Sequence, residues 1–353
     1  MESNRIFYYD LIRAFAIFSI VSCHVFAVYV TNTSIFGTRF WYCALFLNSL
    51  RSPGLPLFVV LSGCLLLNRT ESLTTFAKKR VSRVIIPYLF WIFVFIICAY
   101  LFMNYQFKFI PFSSLNDLLM TIFLFKSNAY HFWFVPMIIC VYAVIFLINK
   151  LNEHYRHALK ISLLVSVLTI ILLNANIIPF DNPANYIIFS AYAVIGYYLA
   201  TFDFKRGKLS SKSLFIIFGA VFIVSFICEV LINASMSLAL NRFECVSQFS
   251  LINVISVISL FLSARYLSQA FNIGSYKNNL GKIIYSASIC SYGIYLCHVL
   301  LKFIVLKIVL IHVKFLPVSV YSTLTLILTF VSSWMLIVIL SKIPYINKLS
   351  GAG

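Results

Sequence analysis

Residues 7–30 read FYYDLIRAFAIFSIVSCHVFAVYV. An apolar run of about 20 residues crosses a hydrocarbon core of roughly 30 Å at 1.5 Å rise per residue. Runs of this kind recur along most of the chain. Of its 353 residues, 62% are hydrophobic and 10% charged, against roughly 25% charged residues in soluble domains. Lipid is therefore the expected solvent, and no soluble domain of any size fits between the runs. Asp10 and Arg13 stand at the start of the first run, and no small-residue cleavage pattern follows. It is expected to remain as the first span, not to be removed as a signal peptide.

Hydropathy and polar flanks predict spans at 7–30, 41–67, 84–103, 132–149, 159–178, 185–201, 212–233, 248–268, 283–306 and 317–340. The expected fold is thus an all-α integral membrane protein, about ten transmembrane helices in one bundle. The pair 159–178 and 185–201 has short cores, interrupted by Asn174, Asn176 and Pro179. Losing both would leave the orientation unchanged. The net charge of +18 would suggest nucleic acid in a soluble protein. Here the basic residues gather in short loops, so the charge reads as topology and no nucleic-acid partner is expected.

With the N-terminus inside, 19 of the 27 basic residues fall on one side, among them Arg5, Arg69, Lys78, Lys79, Lys205, Arg206, Lys208 and Lys277. The other eight are Arg39, Arg51, Lys108, Lys126, Arg242, Lys302, Lys307 and Lys314. The positive-inside rule then predicts both termini in the cytoplasm. Nine cysteines, mostly within apolar runs and without a CxxC pair, are expected to be packing residues. No metal site is expected.

An ionisable residue within a span is costly unless it has a use. Arg13 and His24 are eleven residues apart, almost three helical turns, so they share a face, with His24 roughly 16 Å farther along the axis. Asp10 falls near that face. The arrangement suits a site joining an anionic cytoplasmic donor to a distant acceptor. The same spacing is also compatible with a snorkelling arginine and a histidine bonded within the bundle.

Lys78, Lys79, Arg80, Val81, Ser82 and Arg83 precede Pro87 in the third span. On α-helical spacing Arg80 and Arg83 share a face, and guanidinium pairs recognise phosphate with forked hydrogen bonds. Coenzyme A carries a pyrophosphate and a 3′-phosphate, so such a donor suits the cluster; plain topology and anionic lipid contact would account for it too. Ser62-Gly63 offers close helix approach and a hydroxyl. His131 and Trp133 are placed at the outer interface, where aromatics anchor helices. Ser291, Tyr295 and His298 line one helical face, with His298 at a depth similar to His24, as a stripe shaping the acceptor side or as structural hydrogen bonding. Glu229, well inside the seventh span, has no partner that the sequence identifies.

Taken together, the DLIRAFAIFSIVSCHVF, LPLFVVLSGCLLL, Arg80 to Pro87, HFWFVP and SYGIYLCHVLL segments resemble the membrane-bound acyltransferase family 3. Its bacterial members include O-antigen, capsule and exopolysaccharide O-acetyltransferases. All five occur in the order expected of that family and cover nearly the whole chain. The resemblance implies a ten-helix domain over 1–353 that takes its acyl-CoA donor, acetyl-CoA above all, from the cytoplasm. His24 matches the family's essential histidine and Arg13 its paired arginine. Arg80 and Arg83 match its basic motif, while Asp10, Ser62, Trp133, Tyr295 and His298 are supporting candidates.

No permanently bound cofactor is expected. The implied acceptor is a lipid-linked or nascent polysaccharide, and the implied location a bacterial inner membrane. A homo-oligomer remains open, since nothing in the sequence marks a helix interface as intermolecular. Cys64 departs from the aromatic that relatives often carry after Ser-Gly. Larger family members add a periplasmic esterase-like domain, so the chain is expected to be the stand-alone form. The competing readings are a glycan or lipid transporter or flippase, which would not need the Arg13 to His24 alignment, and a nonenzymatic synthase subunit.

Overall fold

Serine and threonine side chains open many of the helices, as expected where a short hydroxyl can satisfy an orphaned backbone N–H. The structure, a computed structural model, describes residues 5–102, 130–177, 183–203, 209–271, 278–313 and 315–353. The expected loop bases Lys108, Lys126, Lys205, Arg206, Lys208, Lys277 and Lys314, together with Pro179 and the span ends at 103 and 178, lie outside the described residues.

Among the described residues the α-helices are α1 (Phe7–Val30), α2 (Arg39–Ser49), α3 (Arg51–Leu66), α4 (Leu73–Arg80), α5 (Ile86–Phe102) and α6 (Phe134–His154). They continue with α7 (Ala158–Asn174), α8 (Ser190–Thr201), α9 (Ser211–Leu240), α10 (Leu251–Ala270), α11 (Asn279–Ile304) and α12 (Val318–Ser341). Thr38, Ser72, Ser210 and Ser250 cap α2, α4, α9 and α10. Asn241 ends α9 in the left-handed region at φ 49°. Among the described residues there is no strand.

Among the described residues, eight segments are long and apolar enough to cross a membrane: Phe7–Val30, Arg39–Leu66, Leu73–Cys98, His131–His154, Ser211–Leu240, Leu251–Ala270, Asn279–Lys307 and Val318–Ser341. The two short expected spans appear as the shorter apolar helices Ala158–Asn174 and Tyr186–Thr201. Outward-facing apolar side chains agree with a lipid solvent: Leu164 is 70% exposed, and Phe93 and Val224 each 61%. Water would penalise such a surface. This is an integral membrane protein.

The third span begins well before the expected residue 84. Its helix starts at Leu73, because Ser72 caps it, and carries Lys78, Lys79 and Arg80 in its last turn. A π turn at Val81–Ile85 then joins α4 to α5. Pro87 explains that turn. It offers no N–H to the carbonyl of Arg83, and its ring crowds that carbonyl, so the backbone widens one turn earlier.

The chain forms two compact units. The first comprises residues 1–70 and 141–288. Within it, α1 and α2 are joined by Ser22 Oγ donating to the Leu47 carbonyl at 2.9 Å and Asn48 Nδ2 donating to the Cys23 carbonyl at 3.0 Å. In α9 and α10, the Ser256 hydroxyl donates to Ser225 Oγ at 2.8 Å. Helices α3 and α8 cross at backbone contact: a Cβ on Gly63 would overlap the Ala193 backbone, and one on Gly196 the Val60 backbone.

The second unit comprises residues 71–140 and 289–353. Its last residues are stitched in by backbone acceptors and donors. Trp91 Nε1 donates to the Ser350 carbonyl at 3.2 Å, and the Gly353 N–H donates to the Ile289 carbonyl at 2.9 Å. Tyr292 donates from its hydroxyl to the Val84 carbonyl at 2.8 Å, tying α11 to the π turn.

Candidate functional site

Asp10, Arg13, His24 and Ser62 belong to the first unit; Arg80, Arg83, Trp133, Tyr295 and His298 belong to the second. Helix α1 runs unbroken through Asp10, Arg13 and His24. The expected shared face and the axial separation of roughly 16 Å between Arg13 and His24 follow directly.

Asp10 is 1% exposed and gathers three donors. Ser288 Oγ approaches at 2.6 Å, Arg5 Nη1 at 3.4 Å and Arg13 Nη1 at 3.5 Å. Arg5 also lies over the Tyr285 ring at 4.9 Å. The carboxylate therefore orients Arg13 and shares its charge with a second guanidinium. Asp10→Ala leaves both cations without their anion. It is expected to destabilise the unit by about 3 kcal/mol, the low end for breaking a buried pair because both arginines keep some contact with solvent. A lower Tm in detergent checks this, and Asp10→Asn, which keeps an acceptor for Ser288, is expected to lose less.

Ser62 donates to the Phe58 carbonyl at 3.0 Å within its own helix, while its neighbour Gly63 makes the close crossing with α8. Cys64 donates its thiol to the Gly196 carbonyl at 3.2 Å. It is an electrostatic neighbour of Arg13 and Tyr9. The small thiol thus stands beside the arginine-bearing face of α1.

In the second unit the π turn begins immediately after Arg80, so α-helical counting does not hold across the Arg80 to Arg83 interval. Arg80 is half-buried with its guanidinium 5.0 Å from the Phe76 ring centroid, whereas Arg83 is exposed. The expected common face is replaced by one packed and one open guanidinium. Lys79 pairs with Glu71 at 2.7 Å, and Lys78 is exposed.

His131 is 1% exposed, which corrects the interface anchor expected of it; Trp133 is half-buried. The His131 ring lies 5.3 Å from that of His298, centroid to centroid, and 5.9 Å from that of Tyr295. The Tyr295 hydroxyl donates to the His131 carbonyl. His298 is fully buried, its Nδ1 within 3.1 Å of the Ile294 carbonyl and 2.8 Å of the Tyr295 carbonyl. With Nδ1 donating to those carbonyls, a neutral His298 ring presents Nε2 as its acceptor. Sequence reasoning missed the histidine pair because 167 residues separate its members and His131 sits among aromatics that read as an anchor.

It also missed the charged neighbour of Glu229. Arg51, expected only as an outer-side base, is a Coulombic neighbour of the buried Glu229 in the first unit. None of the nine cysteines is in a disulfide. A family model described as an acyltransferase domain, acyltransferase 3, matches residues 6–338. No curated protein and no solved structure matches the chain.

Proposed function

We propose, since the chain belongs to the acyltransferase 3 family, that it carries an acetyl group from cytoplasmic acetyl-CoA to a hydroxyl of a surface-polysaccharide sugar such as O-antigen. The cell is a bacterium and the membrane its inner one. The observation that carries the reading is α1, which holds a carboxylate-anchored Arg13 and His24 on one face of an unbroken helix.

His24 takes the proton of the sugar hydroxyl as that oxygen attacks the thioester carbonyl. A C–O bond forms, the C–S bond breaks, and the proton passes to the departing CoA sulfur. In the two-step variant the imidazole is acylated first, releasing CoA, and then passes the acyl group to the hydroxyl. Arg83, exposed and cationic, binds a CoA phosphate, Arg80 lends charge from its seat on Phe76, and Arg13 serves the donor from the head of α1. Trp133, Tyr295 and His298 support the acceptor side.

The test is CoA release from acetyl-CoA by the detergent-purified chain, with and without a crude lipid-linked glycan extract. Release in either condition supports acyl transfer, and none in both overturns it in favour of a transporter. Arg83→Gln is expected to raise the half-saturating acetyl-CoA concentration about tenfold, the loss of one charge-assisted contact. It should also narrow the wild type's preference for acetyl-CoA over its 3′-dephospho analogue. Equal half-saturation in the variant removes Arg83 from the donor site.

A further inference from the structure

Helix α2 gives way to α3 at Leu50, inside the apolar segment Arg39–Leu66. Pro53 and Pro56 follow. Neither has an N–H, so the carbonyls of Ser49 and Ser52 receive no α-helical hydrogen bond from them. Irregular backbone at membrane depth is tolerated where protein buries it or where it lines a polar cavity. Both serines are buried, at 3% and 1% exposure.

Opposite this break, α9 supplies Glu229 and Asn233, one helical turn apart. Asn233 Nδ2 donates to Ser49 Oγ at 3.3 Å, and its carbonyl oxygen accepts the Val246 N–H at 2.9 Å. Glu229 is fully buried, and neither of its carboxylate oxygens has a hydrogen-bond partner. The Ser52 hydroxyl is a neighbour of this carboxylate. Arg51 is its Coulombic neighbour without a direct ion pair, the guanidinium donating instead to Cys245 Sγ. Cys23, adjacent to His24 in the sequence, is another electrostatic neighbour of Arg51. It accepts the Asn48 hydrogen bond, so the cluster adjoins the His24 turn of α1.

We propose that Glu229 and Arg51 form the acceptor subsite, binding the ring hydroxyls of a neutral sugar; this rests on the acyl-transfer reading above. A carboxylate only accepts hydrogen bonds and a guanidinium only donates them, whereas a hydroxyl does both. A pair of adjacent hydroxyls can donate to Glu229 and accept from Arg51. An anionic ligand meets the carboxylate and a cationic one the guanidinium, so the pair selects an uncharged polyol. Leaving a buried carboxylate without hydrogen bonds is costly, and bound hydroxyls remove that cost.

The experiment is saturation-transfer NMR on the detergent-purified full chain with methyl α-glucoside and methyl α-rhamnoside, and with glucuronate and glucosamine as charged controls. Wild type is expected to transfer saturation to the ring protons of at least one neutral glycoside and to neither control. The signal is expected to fall at least tenfold in Glu229→Gln, a variant of equal size, and to persist in His24→Ala. If Glu229→Gln does not stay monodisperse, Arg51→Lys, which keeps the charge and loses the planar fork, gives the same reading.

No signal from wild type, or equal signals in wild type and the folded variant, overturns the subsite. CoA release measured on the same samples separates the two ideas. Glu229-dependent sugar binding without any CoA release sinks acyl transfer and leaves the sugar site standing, while CoA release with no Glu229-dependent binding does the reverse.

Discussion

His24→Ala is expected to lower acetyl-CoA-dependent acyl transfer by about 10²–10⁴-fold, the usual contribution of a positioned general base. The alternative routes divide on what happens without acceptor. An acyl relay releases one CoA per chain from wild type in a burst and leaves an acylated α1 peptide, seen as an added mass on the fragment containing His24. Direct transfer gives neither. In both, the alanine variant should remain folded, since His24 is only half-buried at the surface of α1, and its melting curve should move little. Full turnover by a folded His24→Ala chain would remove this residue from the chemistry.

The second large effect is on folding. Gly63 and Gly196 face the backbone of each other's helix, so any side chain at either position must push α3 from α8. Cores respond to overpacking by about 1–3 kcal/mol where neighbours can shift, and by more where the obstacle is main chain. Gly63→Leu is therefore expected to yield no monodisperse protein on gel filtration, and Gly63→Ala a clearly lowered Tm. Gly219, whose nearest atom to an added Cβ is Ser263 Oγ at 3.5 Å, is the control. Gly219→Ala should be tolerated and can gain roughly 0.5–1 kcal/mol from its helix position. An unchanged Tm for Gly63→Ala would contradict the reported crossing.

The two substitutions differ in how readable their sites were. Span positions were legible because lipid leaves little choice of side chain, and α1, with its Arg13 and His24 spacing, follows from counting along one helix. The Ser62-Gly63 dipeptide pointed to close approach for the same reason. What sequence counting lacked was any information across the chain: Arg51 and Glu229 are 178 residues apart, and His131 and His298, whose rings meet, are 167 apart. Local counting also failed where backbone geometry changed. The polar opening and basic last turn of α4 fell below the hydropathy of a span, so the third helix appeared shorter than it is. The Arg80 and Arg83 register assumed an α-helix where Pro87 produces a wider turn.

That wider turn has a consequence for angular phase. One additional residue in a helical turn advances everything on one side of it by about 100° relative to the other side. The π turn at Val81–Ile85 thus lets the buried side of α5, with Tyr88 and Trp91, keep its azimuth while the basic end of α4 is set independently. Removing one residue from 81–85 should swing Arg80 and its neighbours to a different azimuth and leave the span itself in place. Two sequences aligned without a gap here can present their cationic residues in different directions, and equivalent positions are better assigned by counting backward from Arg80 and forward from Pro87 than by counting across.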